Sequence, residues 1–589
     1  MVKKQTNSAL NVRKKNINKV IKTIIQTVIL LALIALLIDA VFDVQRYEEP
    51  DKTAWMQEDQ GFIAISYFGV GRSASSKLVA KNQLDEQLGA LYDQGYRTIS
   101  QQDITDFYTK GKPLPPKALF LSFEDGRNDS SLFAQPLLEK YNYKATFLSY
   151  ANKMGNSDRK FLQPKDMLKM AKTGYWELGT NGYRLTYINV FDKEGRYIGV
   201  KDENELTDKE NIEYYNHYLM DFIRDENMIP IEDRDEMEAR IQGDYKLMQD
   251  IYTDTLGYVP SVYMIMHSNA LGEGMNPLVL NANSSNIHNM FQMHFNREGQ
   301  TLNSKDDDIY DLTRIQPASY WSTNHLLMKI RKDTGNTMQF VRGDEDEAGK
   351  WNMLGGVAEF DENMIILTSP PAGSGKMYLN GSSDQRDVKV SFKASGNVIG
   401  KQGVYLRYDK VKKTSLHVYL ENNNIIVEEQ KPGSTDKPVF SQPLDELQWK
   451  EEDLAFDKAS VYTKEQTASG VTSDKHDYPV NIRNSRNFEV ELVGQSLKII
   501  VDDQLLVENL QVDPSISIGG IALEAKYNEQ NEKDDIYDGV FEDLQVTSPG
   551  NESDDSSFKY SLKLSGIEGV VSRVKKAVNT AVNWTMDTF

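Results

Sequence analysis

The stretch 118–129, ALFLSFEDGRND, sets the terms for the rest of the chain. Four apolar residues, Ala118, Leu119, Phe120 and Leu121, run into Ser122-Phe123, two adjacent carboxylates and Gly126. An apolar run closed by acids and a glycine predicts a buried strand whose C-terminal end opens into a tight turn. In α/β folds that end of a strand is where sites are built, because loops converge there and backbone amides lie close by. Glu124 and Asp125 then stand side by side at such a mouth, suited to a metal ligand beside a general base. Taken alone, Glu-Asp-Gly reads better as a solvated turn; the flanking sequence reverses that preference.

The stretch resembles the signature of polysaccharide deacetylases, the NodB-homology or carbohydrate esterase family 4 group. That family carries T-F-D-D-G on its first core strand, and here the motif stands as Ser122-Phe123-Glu124-Asp125-Gly126. Residues 133–147 resemble the family's next helix and strand, 84–100 the helix and strand before the signature, and 168–179 the lead-in to its second metal motif. Asp311-Leu-Thr-Arg-Ile315 resembles the family's closing D-x-x-R-I. The resemblance spans roughly 62–317. It implies a distorted (β/α) barrel, a hydrolase of carbon–nitrogen bonds other than peptide bonds, and a divalent, zinc-like metal.

The site residues depart from that pattern. The family binds its metal through the second Asp of the signature and two His of H-x-x-x-H. The alignment puts Asn181 and Leu185 at the two His positions, and leucine cannot ligate, while neutral Asn is a poor substitute for imidazole. Glu124 takes the place of the family's base, one methylene longer, and Asp125 alone survives as a ligand. His267 and His294 each follow a predicted core strand, at 262–266 and 289–293, and with Asp125 would supply the three ligands of a relocated catalytic zinc. Histidines at strand ends serve more often as polar caps. Tyr183, Asn269 and Arg314 are the candidate substrate contacts.

Outside this region, 21–42 has the length of one bilayer-spanning helix. Lys3, Lys4, Arg13, Lys14, Lys15 and Lys19 precede it and an acidic stretch follows, so the positive-inside rule leaves 1–20 cytoplasmic and exports the remainder. The rival is a cleaved signal peptide, but no Ala-x-Ala follows the long apolar run. The expected location is a bacterial cell membrane, single-pass. The 589 residues contain no cysteine, which excludes disulfides, thiolate metal sites and thiol nucleophiles. A net charge of −20 argues against nucleic acid and tolerates cationic glycans, although solubility alone explains it equally well.

The predicted order is a charged linker at 43–60, an α/β domain at 61–335, an all-β unit at 345–548, and a polar linker with a C-terminal helix at 549–589. Within the α/β domain, 187–234 is read as a Tyr-rich insertion over the mouth, partly helical from 211 to 224. Short alternating strands with Gly, Asn and Asp turns between 351 and 546 predict an antiparallel sandwich. Gly403-Val-Tyr-Leu-Arg-Tyr408, 497–503 and 519–523 resemble concanavalin/laminin-G-like jelly rolls. Pro371-Ala-Gly-Ser-Gly-Lys376 lacks the first glycine of a phosphate-binding loop. In the tail, Val570, Val571, Val574 and Val578 repeat at helical spacing, for a membrane surface, a partner or the sandwich itself.

Two readings of function follow. One is an anchored deacetylase acting on a surface polysaccharide. The other is a catalytically inactive relative that binds glycan or holds a partner of a polysaccharide synthesis and export complex.

Overall fold

A computed structural model of the chain describes residues 46–55, 61–74, 78–155, 159–206, 211–265, 270–272, 274–396, 400–421, 423–433, 437–444, 485–529, 534–549, 558–564 and part of 19–30. The expected anchor at 21–42 and the C-terminal helix fall largely or wholly outside these residues. Among the described residues, no helix is long and apolar enough to cross a membrane.

Seven parallel strands form the first unit: β1 (Phe62–Tyr67), β2 (Ala118–Phe123), β3 (Ala145–Tyr150), β4 (Trp176–Gly182), β5 (Val262–Met264), β6 (Met293–Glu298) and β7 (Leu312–Arg314). Each pairs with the next in parallel register. The sheet then closes on itself, because Ile65 of β1 bridges in parallel to Ile315, just past β7. Both faces are covered, so β1, β2 and β3 are buried at every position rather than alternating. Ile63, Ile65, Leu119, Leu121 and Phe147 point outward into a core beneath the helices. Phe62, Ala64, Phe120, Met264 and Phe295 point inward. Phe120 and Phe295 stack 4.8 Å apart although three strands separate β2 from β6 in the sheet order. Contact at that remove requires a barrel.

Helices follow β1, β2 and β3 and wrap the outside, among them Lys81–Asp93, Asn128–Tyr141 and Pro164–Ala171. The expected helix across 211–224 is instead a strand, Ile212–His217, in an antiparallel sheet with Thr186–Asp192 and Tyr197–Asp202. Tyr187, Val190, Ile212 and Tyr215 share its small core. Register shifts between Ile212 and Tyr214 and between Tyr214 and Asn216 break the two-residue alternation, so Ile212 and Tyr215, three apart, face the same core and the stretch mimics a helical spacing. Likewise 289–290 ends the helix Pro277–Met290, and the strand begins only at Met293.

Part of the stretch read as a linker packs on the barrel. Tyr47 N–H donates to the Thr173 carbonyl (3.1 Å), and Glu48 and Asn142 exchange two hydrogen bonds at 3.0 and 2.8 Å. Lys144 reaches Glu49 at 2.8 Å and lies over the Tyr47 ring.

The second unit contains, among the described residues, a seven-stranded and an eight-stranded sheet whose pairings are all antiparallel. Residues from both, including Leu523, Val404, Leu416, Val490, Ile499 and Phe541, form one shared core. Every strand expected from the alternating pattern lies within an observed one. The two units meet at a buried ionic cluster. His325, on helix Thr323–Thr334, lies 3.0 Å from Asp538 through Nδ1 and 2.8 Å from Asp534 through Nε2. The Nε2 contact is an ion pair at an angle outside hydrogen-bond geometry. Trp321 stacks on the imidazole and donates its indole N–H to Asp534 (2.9 Å), and the Ser322 N–H donates to Asp538 (2.9 Å). Burial alone lowers the pKa of His325, but Asp538 and Asp534 outweigh it and raise it to about 9.

Candidate active site

The site grows from the end of β2. Strand pairing with β1 continues one residue past Phe123, since the Glu124 N–H donates to the Tyr67 carbonyl (2.9 Å). The chain then turns through two left-handed residues, Asp125 (φ 65°) and Gly126 (φ 66°). Aspartate tolerates that region better than most residues, and glycine has no Cβ to press on Ser149 of β3, 3.1 Å away. The turn sends the two adjacent carboxylates in different directions, and each meets an arginine.

Glu124 is 3% exposed and its Oε1 lies 3.6 Å from Nε of Arg314. That guanidinium, fully buried, also donates to the carbonyls of Ile265 (2.9 Å) and Arg297 (3.1 Å) and lies 3.7 Å from Glu298. Arg314 thus holds the carboxylate from beneath; its burial rules out the direct substrate contact expected from sequence. Glu124 Oε1 and Arg314 Nε, both buried, make no hydrogen bond. An oxygen placed this way has a lone pair to offer to a proton donor.

Asp125 faces the other side. Its backbone N–H donates to Oδ1 of Asn181 (3.1 Å), and the Asn181 amide donates to the Met264 carbonyl (3.0 Å). The alignment that set Asn181 opposite Asp125 therefore has a spatial counterpart, across β2, β4 and β5. Arg127 Nη1 lies 3.8 Å from the Asp125 carboxylate, and its Nη2 3.7 Å from Asp129. Burial pushes the pKa of Asp125 up to about 6, against the opposing pull of Arg127 and Lys160. Tyr150, at the end of β3, is buried near both acids, and its phenol is pushed well above the usual range by burial and then by those charges. Sequence reasoning missed Arg127 and Tyr150. An arginine two residues after the acid pair was the available signal for the first.

His294 does not join this group. It is the second residue of β6, at the opposite end of the strand from the mouth, because the strand starts later than expected. Its ring stacks on Tyr263 at 5.0 Å in the outer core, and Nδ1 is bonded to the Tyr310 carbonyl (3.1 Å). Burial lowers its pKa to about 3, so it is neutral. His267 and Asn269 lie outside the described residues. Leu185 is buried and offers only its carbonyl, which accepts the Glu203 N–H. Tyr183 is half-buried, with the Arg184 guanidinium 5.0 Å from its ring. The Glu203 carboxylate reaches Lys153 just beyond β3 (3.1 Å), so the inserted sheet does stand over the mouth.

The residues around Asp125 do not fit the divalent metal that the resemblance implies. Asp125 brings one carboxylate, Asn181 has committed its oxygen to a backbone N–H, and Leu185 has no side-chain donor. A guanidinium already faces the carboxylate where a cation would sit. Among the described residues, no group of three or more His, Asp or Glu is placed to hold a metal ion.

Residues 111–259 match the family model for polysaccharide deacetylase. YxkH of Bacillus subtilis (strain 168) is 28% identical over 128 residues, 22% of this chain and 45% of that protein. The poly-β-1,6-N-acetyl-D-glucosamine N-deacetylase of Escherichia coli (strain K12) is 33% identical over 90 residues, 15% of this chain and 13% of that one. The chain thus spans less than half the length of these relatives. Among solved structures, the Streptococcus pyogenes deacetylase PplD in complex with acetate aligns over 46% of this chain and 99% of its own, with 15% identity and a TM-score of 0.33. Residues 111–259, within the barrel-shaped α/β unit built around Glu124 and Asp125, are thus similar to polysaccharide deacetylases, in a longer chain with a β-rich C-terminal region.

Proposed function

We propose that this is a membrane-anchored, extracytoplasmic protein that holds an acetylated cell-surface polysaccharide through a deacetylase-type barrel without hydrolysing it. The glycan is of the class named for its Escherichia coli relative, poly-β-1,6-N-acetyl-D-glucosamine. One observation carries the reading: at the family's ligand positions Asn181 is spent on the Asp125 N–H and Leu185 offers nothing, while Arg127 faces the remaining carboxylate. The fold is then retained for recognition, since a fold does not carry an activity with it. Such a protein works beside the machinery that makes and exports the polymer, with the C-terminal unit, read as a concanavalin/laminin-G-like sandwich, as a further surface.

A second reading, hydrolysis, is supported by Oε1 of Glu124, which makes no hydrogen bond. In that case Glu124 accepts a proton from water as the water oxygen attacks the acetyl carbonyl; acetate leaves and the sugar nitrogen takes up a proton. Purified protein is assayed for metal content, for retention on insoluble poly-β-1,6-N-acetylglucosamine, and for acetate release. Retention with less than one equivalent of metal and no acetate is expected. Acetate release that disappears in Glu124→Gln would establish the second reading, and no retention at all would reject both.

A further inference from the structure

The outer face of the seven-stranded sheet carries an aromatic array that the barrel's role does not use. Its rows are set by strand register: Tyr378 pairs with Ala522, Ala522 with Tyr405, Tyr405 with His417, and His417 with Glu428. Residues on the alternate positions, such as Met377, Leu523, Val404, Leu416 and Val418, fill the shared core, so the tyrosines stand on the side away from it. Gly520 lets the Tyr378 ring lie across the neighbouring strand, and Gly403 leaves room for the Cβ of Tyr419. A Cβ at Gly520 would meet the Tyr378 hydroxyl at 2.3 Å, and one at Gly403 would meet Tyr419 at 2.4 Å. Any other residue at Gly520 would lift Tyr378 off the sheet.

Around these rings the polar groups are fixed. Glu524 accepts from the Ser374 hydroxyl (2.7 Å) and the Tyr405 hydroxyl (3.0 Å), and Lys376 lies 3.3 Å from it. Lys376 also sits 4.2 Å over Tyr405, and Lys401 3.7 Å over Tyr419, so those two ring faces are already covered by cations. Tyr378, half-buried, carries no such cover; Tyr408, half-buried with its centroid 6.2 Å away, has Lys376 only at its margin, 5.7 Å from the centroid, and neither hydroxyl has a hydrogen-bond partner among the described residues. Beside them His417 is 2% exposed, and its Nε2 has no hydrogen bond, standing 3.6 Å from Glu524. A buried polar nitrogen left unpaired calls for an explanation, and a ligand hydroxyl bridging His417 and Glu524 is one.

We infer that this face is a carbohydrate subsite in which a pyranose ring lies on Tyr378, flanked by Tyr408, while its hydroxyls reach Glu524, Lys376 and His417. The uncovered face of Tyr378 takes the C–H side of a sugar; a fixed carboxylate and ammonium at the ring edge take its hydroxyls, the mixture of apolar wall and few polar groups that small-ligand sites share. The inference rests on the polysaccharide reading and adds a second contact on the same polymer. Two tethered sites on one chain raise retention on a polymer far above that of either alone.

The test uses the full chain and a soluble β-1,6-linked N-acetylglucosamine tetrasaccharide, titrated calorimetrically beside the insoluble polymer. Tyr378→Ala and Tyr408→Ala are expected to weaken tetrasaccharide binding at this site at least tenfold with an unchanged thermal melt, and Tyr378→Phe to bind within about threefold of wild type. Cross-peaks or protection appearing at Tyr408 and His417 on titration would locate the sugar directly. Unchanged affinity in both alanine variants, with affinity lost in Asp125→Ala, overturns the inference and leaves the barrel reading standing. A wild-type chain that binds neither tetrasaccharide nor polymer overturns both.

Discussion

Replacing His325 by glutamine removes the cation from the cluster that joins the two units. Asp534 and Asp538, 5% and 3% exposed at their side chains, then face each other across a neutral amide. Breaking a buried ion pair by deleting one partner costs about 3–5 kcal/mol, since the remaining charge stays desolvated. The pH dependence supplies an independent figure. His325 is raised from 6.5 to about 9, about 2.5 units at 1.36 kcal/mol each, or about 3 kcal/mol of linkage. Because the folded-state pKa lies above the unfolded one, this stabilisation is complete below pH 6.5 and is lost as pH rises through 9. Urea unfolding of wild type and His325→Gln at intervals from pH 6 to 10 measures it as a difference, cancelling groups common to both. The gap should be widest at pH 6 and shrink by about 3 kcal/mol by pH 10. A gap that does not change with pH would refute a cationic His325.

The Asp125 carboxylate is raised from 3.8 to about 6, so ionising it opposes folding at neutral pH; Asp125→Asn should gain about 3 kcal/mol at pH 8 and nothing at pH 3.5, read by thermal melts. Arg314→Leu leaves Glu124 and Glu298 without their buried counter-charge and should cost about 3–5 kcal/mol, visible as a lowered urea midpoint. His294→Phe keeps the stack on Tyr263 and loses the bond to Tyr310, at about 1 kcal/mol; a fall in bound metal with that variant would restore the relocated site.

What the sequence disclosed follows from which signals are local. The strand β2 was readable because buried parallel strands are nearly continuous apolar runs, and ALFLSF is such a run, as are FIAISY and ATFLSY in β1 and β3. The pairing of Asn181 with Asp125 was also accessible, since an aligned motif carries spatial information across strands. Arg314 was named, but not its task, because nothing in D-x-x-R-I says that the guanidinium is covered on every side. His294 failed for a different reason: a four-residue error in where a strand begins moves a side chain from the mouth to the far end of the barrel. The His325 cluster was invisible, its partners lying more than 200 residues away with no periodic pattern to connect them.

The segment around Tyr47 has a directional meaning. Its partners, Asn142, Lys144, Thr173 and Tyr175, lie just before β3 and β4 begin, whereas Glu124 and Asp125 lie just after β2 ends. A six-residue strand is about 20 Å long, so the chain is moored to the closed end of the barrel with the acids about that far beyond. Traction on residues preceding Tyr47 loads the floor and leaves the opening facing away from whatever holds them. A surface that held this protein by its N-terminal side would therefore meet the back of the barrel, with the acid pair on the side away from it. Cysteines introduced at Asp129 and Lys172, in a chain with none of its own, would report the two ends separately.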